Sequence, residues 1–167
     1  MTQYELYAAC ATRSAIQARK FLETFVPVRA MRSSELQLPE LSDNPSEIFA
    51  DVDSLIIRLE QKTDEEHALY WTRNEPGDPH QAMLFFTKDG GMIAGIASTH
   101  PDPADLLQQL ATAVDARYGV VVLEERPPST LQAFYRLCRA APGARLVDGE
   151  LFPEPKNLHP TLRKNNV

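Results

Sequence analysis

Two cysteines, seven glycines and one tryptophan are all that this 167-residue chain has of those residue types, and it has no long apolar run. Each shortage excludes something. Cys10 falls in an alternating segment and Cys138 on the apolar side of a helical one, so both read as reduced core residues rather than as a disulfide. Glycine is too sparse for a phosphate cradle. Neither G-x-x-x-x-G-K-S/T nor G-x-G-x-x-G occurs, and the one pair, Gly90-Gly91, reads as a turn. No stretch approaches the roughly 18 apolar residues that cross a bilayer. The opening residues lack the basic-then-apolar order of a secretory signal, and the chain reads as cytoplasmic.

Catalytic groupings are equally scarce. There is no G-x-S-x-G, and neither cysteine has an evident histidine partner. His67, His80, His100 and His159 are scattered; His100 and Asp102 stand close enough to share an ion, but no further ligand follows at metal spacing. Glu124 and Glu125 come after a strand, yet neighbours on an extended chain point to opposite sides and do not converge as an acid/base pair. An acyl-CoA acetyltransferase would have a similar size and a β-meander followed by a helix. Its glycine-rich pyrophosphate loop would fall at residues 98–103, which hold no glycine, two prolines and an acid. No catalytic residue, cofactor or metal site is therefore named.

What the chain does have is a clear α+β pattern. Residues 81–98 read as two strands joined at Lys88-Asp89-Gly90-Gly91, and both arms are apolar on both sides, as in the middle of a sheet. Residues 67–74 add a third strand, which makes a central antiparallel meander. Residues 4–10 alternate as a half-buried strand, 28–33 suit a short one, and 120–123 form an all-apolar one. Helices are predicted near 14–25, 45–61, 103–117 and 130–140. Their start signals are Ser14, Asn44-Pro45 with Glu47, Asp102-Pro103, and Ser129 or Thr130. Gly119 is the predicted stop of the third. The second carries the apolar stripe Ile48, Val52, Leu55, Ile56 and Leu59. The order strand, helix, strand from 92 to 123 suggests a parallel crossover onto the same sheet. Asp148-Gly149 suits a small hairpin over 145–152. The expected architecture is one α+β domain over 1–152, a mainly antiparallel sheet with about four packed helices, followed by a basic, poorly ordered tail over 153–167.

Charge is regional. Between Glu35 and Asp78 twelve carboxylates face only Arg58, Lys62 and Arg73, which is −9, so the remainder carries +3 of the overall −6. Such a field repels nucleic acid and steers a basic protein partner. The expected contact is the exposed side of the 45–61 helix, with Glu47 and Asp51 one turn apart, extended by Asp64, Glu65 and Glu66. Trp71 is the aromatic anchor if its side of the strand is open, and a core residue otherwise.

A small acidic α+β chain of this kind resembles the immunity proteins that neutralise bacterial polymorphic or contact-delivered toxins. The likeness spans residues 81–128 and rests on MIAGIAS, a helix, then YGVVVLEERPP. It implies stoichiometric binding of one bacterial toxin domain and no turnover, and it transfers no functional residue. The other readings are a different assembly, chaperone or regulatory partner protein, or an enzyme or small-ligand binder whose site one sequence does not display.

Overall fold

The computed structural model describes residues 2–32 and 35–153. The predicted tail falls outside them from residue 154 onward. In chain order the elements are β1 (Tyr4–Ala9), α1 (Ala15–Phe25), β2 (Arg29–Met31), β3 (Gln37–Leu38), β4 (Glu47–Ile48), α2 (Val52–Gln61), β5 (His67–Arg73), β6 (Gln81–Phe86), β7 (Met92–Ser98), α3 (Pro103–Val114), β8 (Gly119–Val122), α4 (Leu131–Ala140), β9 (Arg145–Val147) and β10 (Glu150–Phe152). The fold is α+β. Eight strands form one sheet in the order β10-β9-β8-β1-β7-β6-β5-β2, with β3 and β4 as a separate two-stranded arm. Every neighbouring pair is antiparallel. The meander β5-β6-β7 lies where the apolar arms predict it. β1 lies between β7 and β8 and is antiparallel to both, so β7 and β8 run the same way with a strand between them. The expected crossover is present, skipping one strand.

The pleat sorts the core into two layers. Leu6, Ala8, Leu84, Ile96 and Trp71 pack with α1, α2 and α3 through Phe21, Leu55 and Leu107. Tyr7, Met83, Phe85 and Ile93 face the other way, where α4 brings Phe134 and Cys138. Gly95 makes room for Tyr7, since a Cβ there would sit 2.6 Å from the Tyr7 ring. No helix among the described residues is long and apolar enough to cross a membrane.

Three of the four predicted caps are made. Ser14 accepts from the Gln17 amide, Asp102 from Asp105 and Thr130 from Ala133. The second helix is a correction. It starts at Val52, capped by Asp51, which accepts from the Ser54 amide. Asn44-Pro45-Ser46-Glu47 instead closes the arm: the Ser46 amide donates to Leu38 O (2.9 Å) and Phe49 to Leu36 O (2.8 Å). Ile48 consequently leaves the predicted stripe and is 78% exposed. α3 also ends early, at Val114, because Asp115 turns left-handed at φ 52. Gly119 belongs to β8, where its missing side chain lets the Tyr7 carbonyl approach.

The β6–β7 loop is longer than a two-residue turn. The Thr87 amide donates to Gly91 O (3.0 Å) around Lys88, Asp89 and the left-handed Gly90 (φ 89). This loop also holds α4. The Asp89 carboxylate accepts from the Leu131 (2.8 Å) and Gln132 (3.3 Å) amides, two donors a helix start leaves free. Partial burial would raise the Asp89 pKa, but these amides and the Thr87 hydroxyl outweigh it and hold it below the ordinary 3.8. A depressed folded pKa gives stability that is present above the unfolded value and is lost as pH falls through the folded one. Acid titration of stability is therefore expected to be shallower below pH 3.8 for Asp89→Asn than for the parent. Parallel melting curves would remove Asp89 as an acid-sensitive clasp. Next to it, a Cβ on Gly91 would meet Leu131 Cγ and Cδ1 at 2.3 and 2.2 Å. Gly91→Ala is expected to cost about 1–3 kcal/mol by overpacking, read from urea unfolding. An unchanged midpoint would mean that α4 shifts freely.

Candidate functional site

The acidic segment is split by the fold. α2 has ten residues, so Asp51 at its start and the connector 62–66 at its end are about 15 Å apart. Glu47 is not on the helix with Asp51. It sits on β4 beside the far end of α2, 2.8 Å from Arg58 and 3.9 Å from Lys62. Lys62 also pairs with Glu65 at 3.3 Å. Glu47 and Glu65 are thus largely neutralised within the chain. Asp51 is exposed, and its pKa is lowered by the Ser54 amide and hydroxyl that it accepts from. Trp71 is 2% exposed and is part of the helix-covered core, the second of the two alternatives, so it is not available as an anchor. The strand alternation puts it with His67 and Leu69 on the covered face.

What the structure brings together is the arm and the connector. A cleft of about 540 Å³ is lined by Pro39, Glu40, Leu41 and Ser42 on one wall, Asp64, Glu65 and Glu66 on the other, and Lys88 at the end. Asp64 and Glu66 are exposed and, among the described residues, have no cation within ion-pair distance. Leu41 stands at the rim, 82% exposed. Glu40 is committed to the scaffold. Both of its oxygens accept from the Ala68 amide at 3.2 Å, which closes the open edge of β5. A second cavity of about 360 Å³ continues past Leu41 and Glu66 to His67, Phe85 and Arg126. His67 is buried with Nδ1 3.0 Å from its neighbour's carbonyl, Ala68 O, and 3.7 Å from Glu40. Leu41, Glu40 and Lys88 were missed as site residues from the sequence. The one signal was an apolar residue in a stretch without any period.

Arg13 holds the connector in place. Its guanidinium donates to the carbonyls of Leu59, Lys62 and Glu65 at 2.7, 2.9 and 2.8 Å, and to Thr87 and Gly91 at 2.7 and 3.0 Å. Burial lowers its pKa, against which Asp64 and Glu65 pull upward.

Elsewhere the titratable groups are arranged for structure. Burial pushes the thiols of Cys10 and Cys138 up to about 12, and both are free. Cys10 lies one residue past β1, with its amide on Met92 O. Ser98, Asp78 and His80 cluster, but the Ser98 hydroxyl donates to Asp78, and His80 lies 3.9 Å from the same carboxylate. The carboxylate stands between hydroxyl and imidazole, the wrong order for a proton relay to a nucleophile. His100 Nδ1 accepts from the Asp102 amide at 3.0 Å. Among the described residues no three His, Cys, Asp or Glu side chains gather as metal ligands. Comparison of the chain with family models, curated proteins and solved structures finds no match.

Proposed function

We propose that this chain is a protein-binding domain that receives a basic partner at the cleft between the β3–β4 arm and the α2–β5 connector. The observation that carries this is the pair Asp64 and Glu66: exposed, unpaired among the described residues, and placed across from the bare Leu41 on one cleft. Carboxylates beside an exposed apolar side chain suit a partner that presents lysine or arginine around an apolar contact. The resemblance to immunity proteins gives the reading its form: one partner, stoichiometric, with a bacterial toxin domain as the case to test first. Glu47 and Asp51 have structural tasks and are left out of the proposed contact.

The experiment is capture by the tagged full-length chain from its own source cells, followed by kinetics on the purified partner across a salt series. The expected partner is basic, and its association rate falls steeply as ionic strength rises. An acidic partner, or an association rate indifferent to salt, would leave the segment's charge as a solubilising feature.

A further inference from the structure

Toward the other side of the sheet, four positions from β5, the end of β8 runs on past the cover of its neighbour β9. β9 pairs with β8 only across Gly119 and Val120, and the Val121 amide makes one last bond to Ala144 O (3.0 Å). Beyond it, the Leu123 amide has no partner among the described residues, and Leu123 is 56% exposed. A groove of about 550 Å³ runs along this end of β8. Val121 and Val122 form its floor, Leu137 of α4 and Ala141 just past its end one wall, and Pro103 and Ala104 of α3 the other. Its polar rim includes two carboxylates, Asp102 and Glu125. Neither makes an ion pair among the described residues.

We propose that this groove takes an extended peptide segment that pairs with the main chain at Leu123, where the cover by β9 and Ala144 ends. The free Leu123 amide supplies main-chain pairing, the apolar walls take alternate side chains, and the two carboxylates select a lysine or arginine at the end of the segment. A compact apolar ligand would use the walls but not the amide. This site is separate from the acidic cleft, because four strand spacings of about 4.8 Å lie between β8 and β5.

The test uses the isotope-labelled full-length chain and the capped peptide Lys-Val-Leu-Val-Lys, followed by amide chemical shifts. Saturable shifts centred on Val122, Leu123 and Ala144 are expected. The same peptide with glutamate at both ends should bind at least about fivefold more weakly, as should the parent peptide to Asp102→Asn/Glu125→Gln, since each exposed pair contributes modestly. Asparagine preserves the α3 cap. A peptide N-methylated on its central residue should lose most of its affinity, and Ala104→Trp should fill the groove and abolish the shifts. Undiminished binding of the N-methylated peptide, or shifts located elsewhere, would overturn the proposal. So would shifts at Leu123 that grow with protein concentration in the absence of peptide, which would make the occupant a second copy of the chain.

Discussion

Arg13→Met is expected to lower unfolding stability by about 2–3 kcal/mol, since Arg13 is half-buried and hydrogen bonds from a charged group to the scaffold contribute about 1.5–3 kcal/mol. Arginine has five N–H donors, and here they are matched by five backbone carbonyls. Two of those carbonyls, Leu59 and Lys62, belong to the last turn of α2 and its cap, where a helix leaves oxygens without intrahelical partners and favours a cation. Thr87 and Gly91 belong to the loop that clasps α4. One side chain therefore ties the start of α1 to the end of α2, to the connector and to the central hairpin, while lying 5.2 Å over the Phe86 ring. Methionine keeps the apolar stem but leaves all five oxygens to water or to nothing. Lysine, with three donors on a point charge, should restore less than half of the loss. The measurement is urea unfolding of parent, Arg13→Met and Arg13→Lys. For a domain with about 5–15 kcal/mol in total, the methionine variant should melt far earlier. A midpoint within error of the parent would show that water satisfies these carbonyls as well as the guanidinium does.

Nothing in the sequence around Arg13 announces this task, because its partners are 46 to 78 residues away. A lone arginine before a helix cap looks like any exposed one. Features made by near neighbours were legible: the caps at Ser14, Asp102 and Thr130, the β5–β7 meander, and the Asp148-Gly149 turn with φ 51 and 83. The misread helix start at Asn44-Pro45 shows the limit. Local signals there favour a helix, but Ser46 and Phe49 find carbonyls on residues 36–38, and the tertiary pairing wins. Asp51 carries an equally good cap signal seven residues later. For Trp71 the period of two was legible, but not which face three helices would cover. The candidate cleft was half legible. Its charge could be counted along the chain, whereas the arm that brings Leu41 opposite Asp64 and Glu66 depends on β3 pairing with β4.

That geometry also sharpens the decisive functional experiment. Asp64→Lys/Glu66→Lys is expected to slow association with the basic partner by at least about tenfold at low salt, because it reverses the field at the cleft mouth. Stability should change by no more than about 1 kcal/mol, since both side chains are exposed and the main loss is Asp64's attraction for the Arg13 guanidinium. Adding Asp51→Lys would confuse the reading, since it removes the α2 cap. Asp51→Asn keeps the cap and removes the charge, and is the better control. At about 15 Å from the connector it lies beyond the roughly 8 Å screening length of physiological salt, so association should stay within about twofold of the parent. Leu41→Ser provides the complementary arm: if the rim leucine is part of the contact, dissociation should quicken while the salt dependence of association stays as it was. Stopped-flow kinetics with the purified partner separate these outcomes. A double variant that associates at the parental rate, or an Asp51→Asn variant that slows as much as the double one, would place the contact outside the cleft and return the acidity of residues 35–78 to a property of the whole segment.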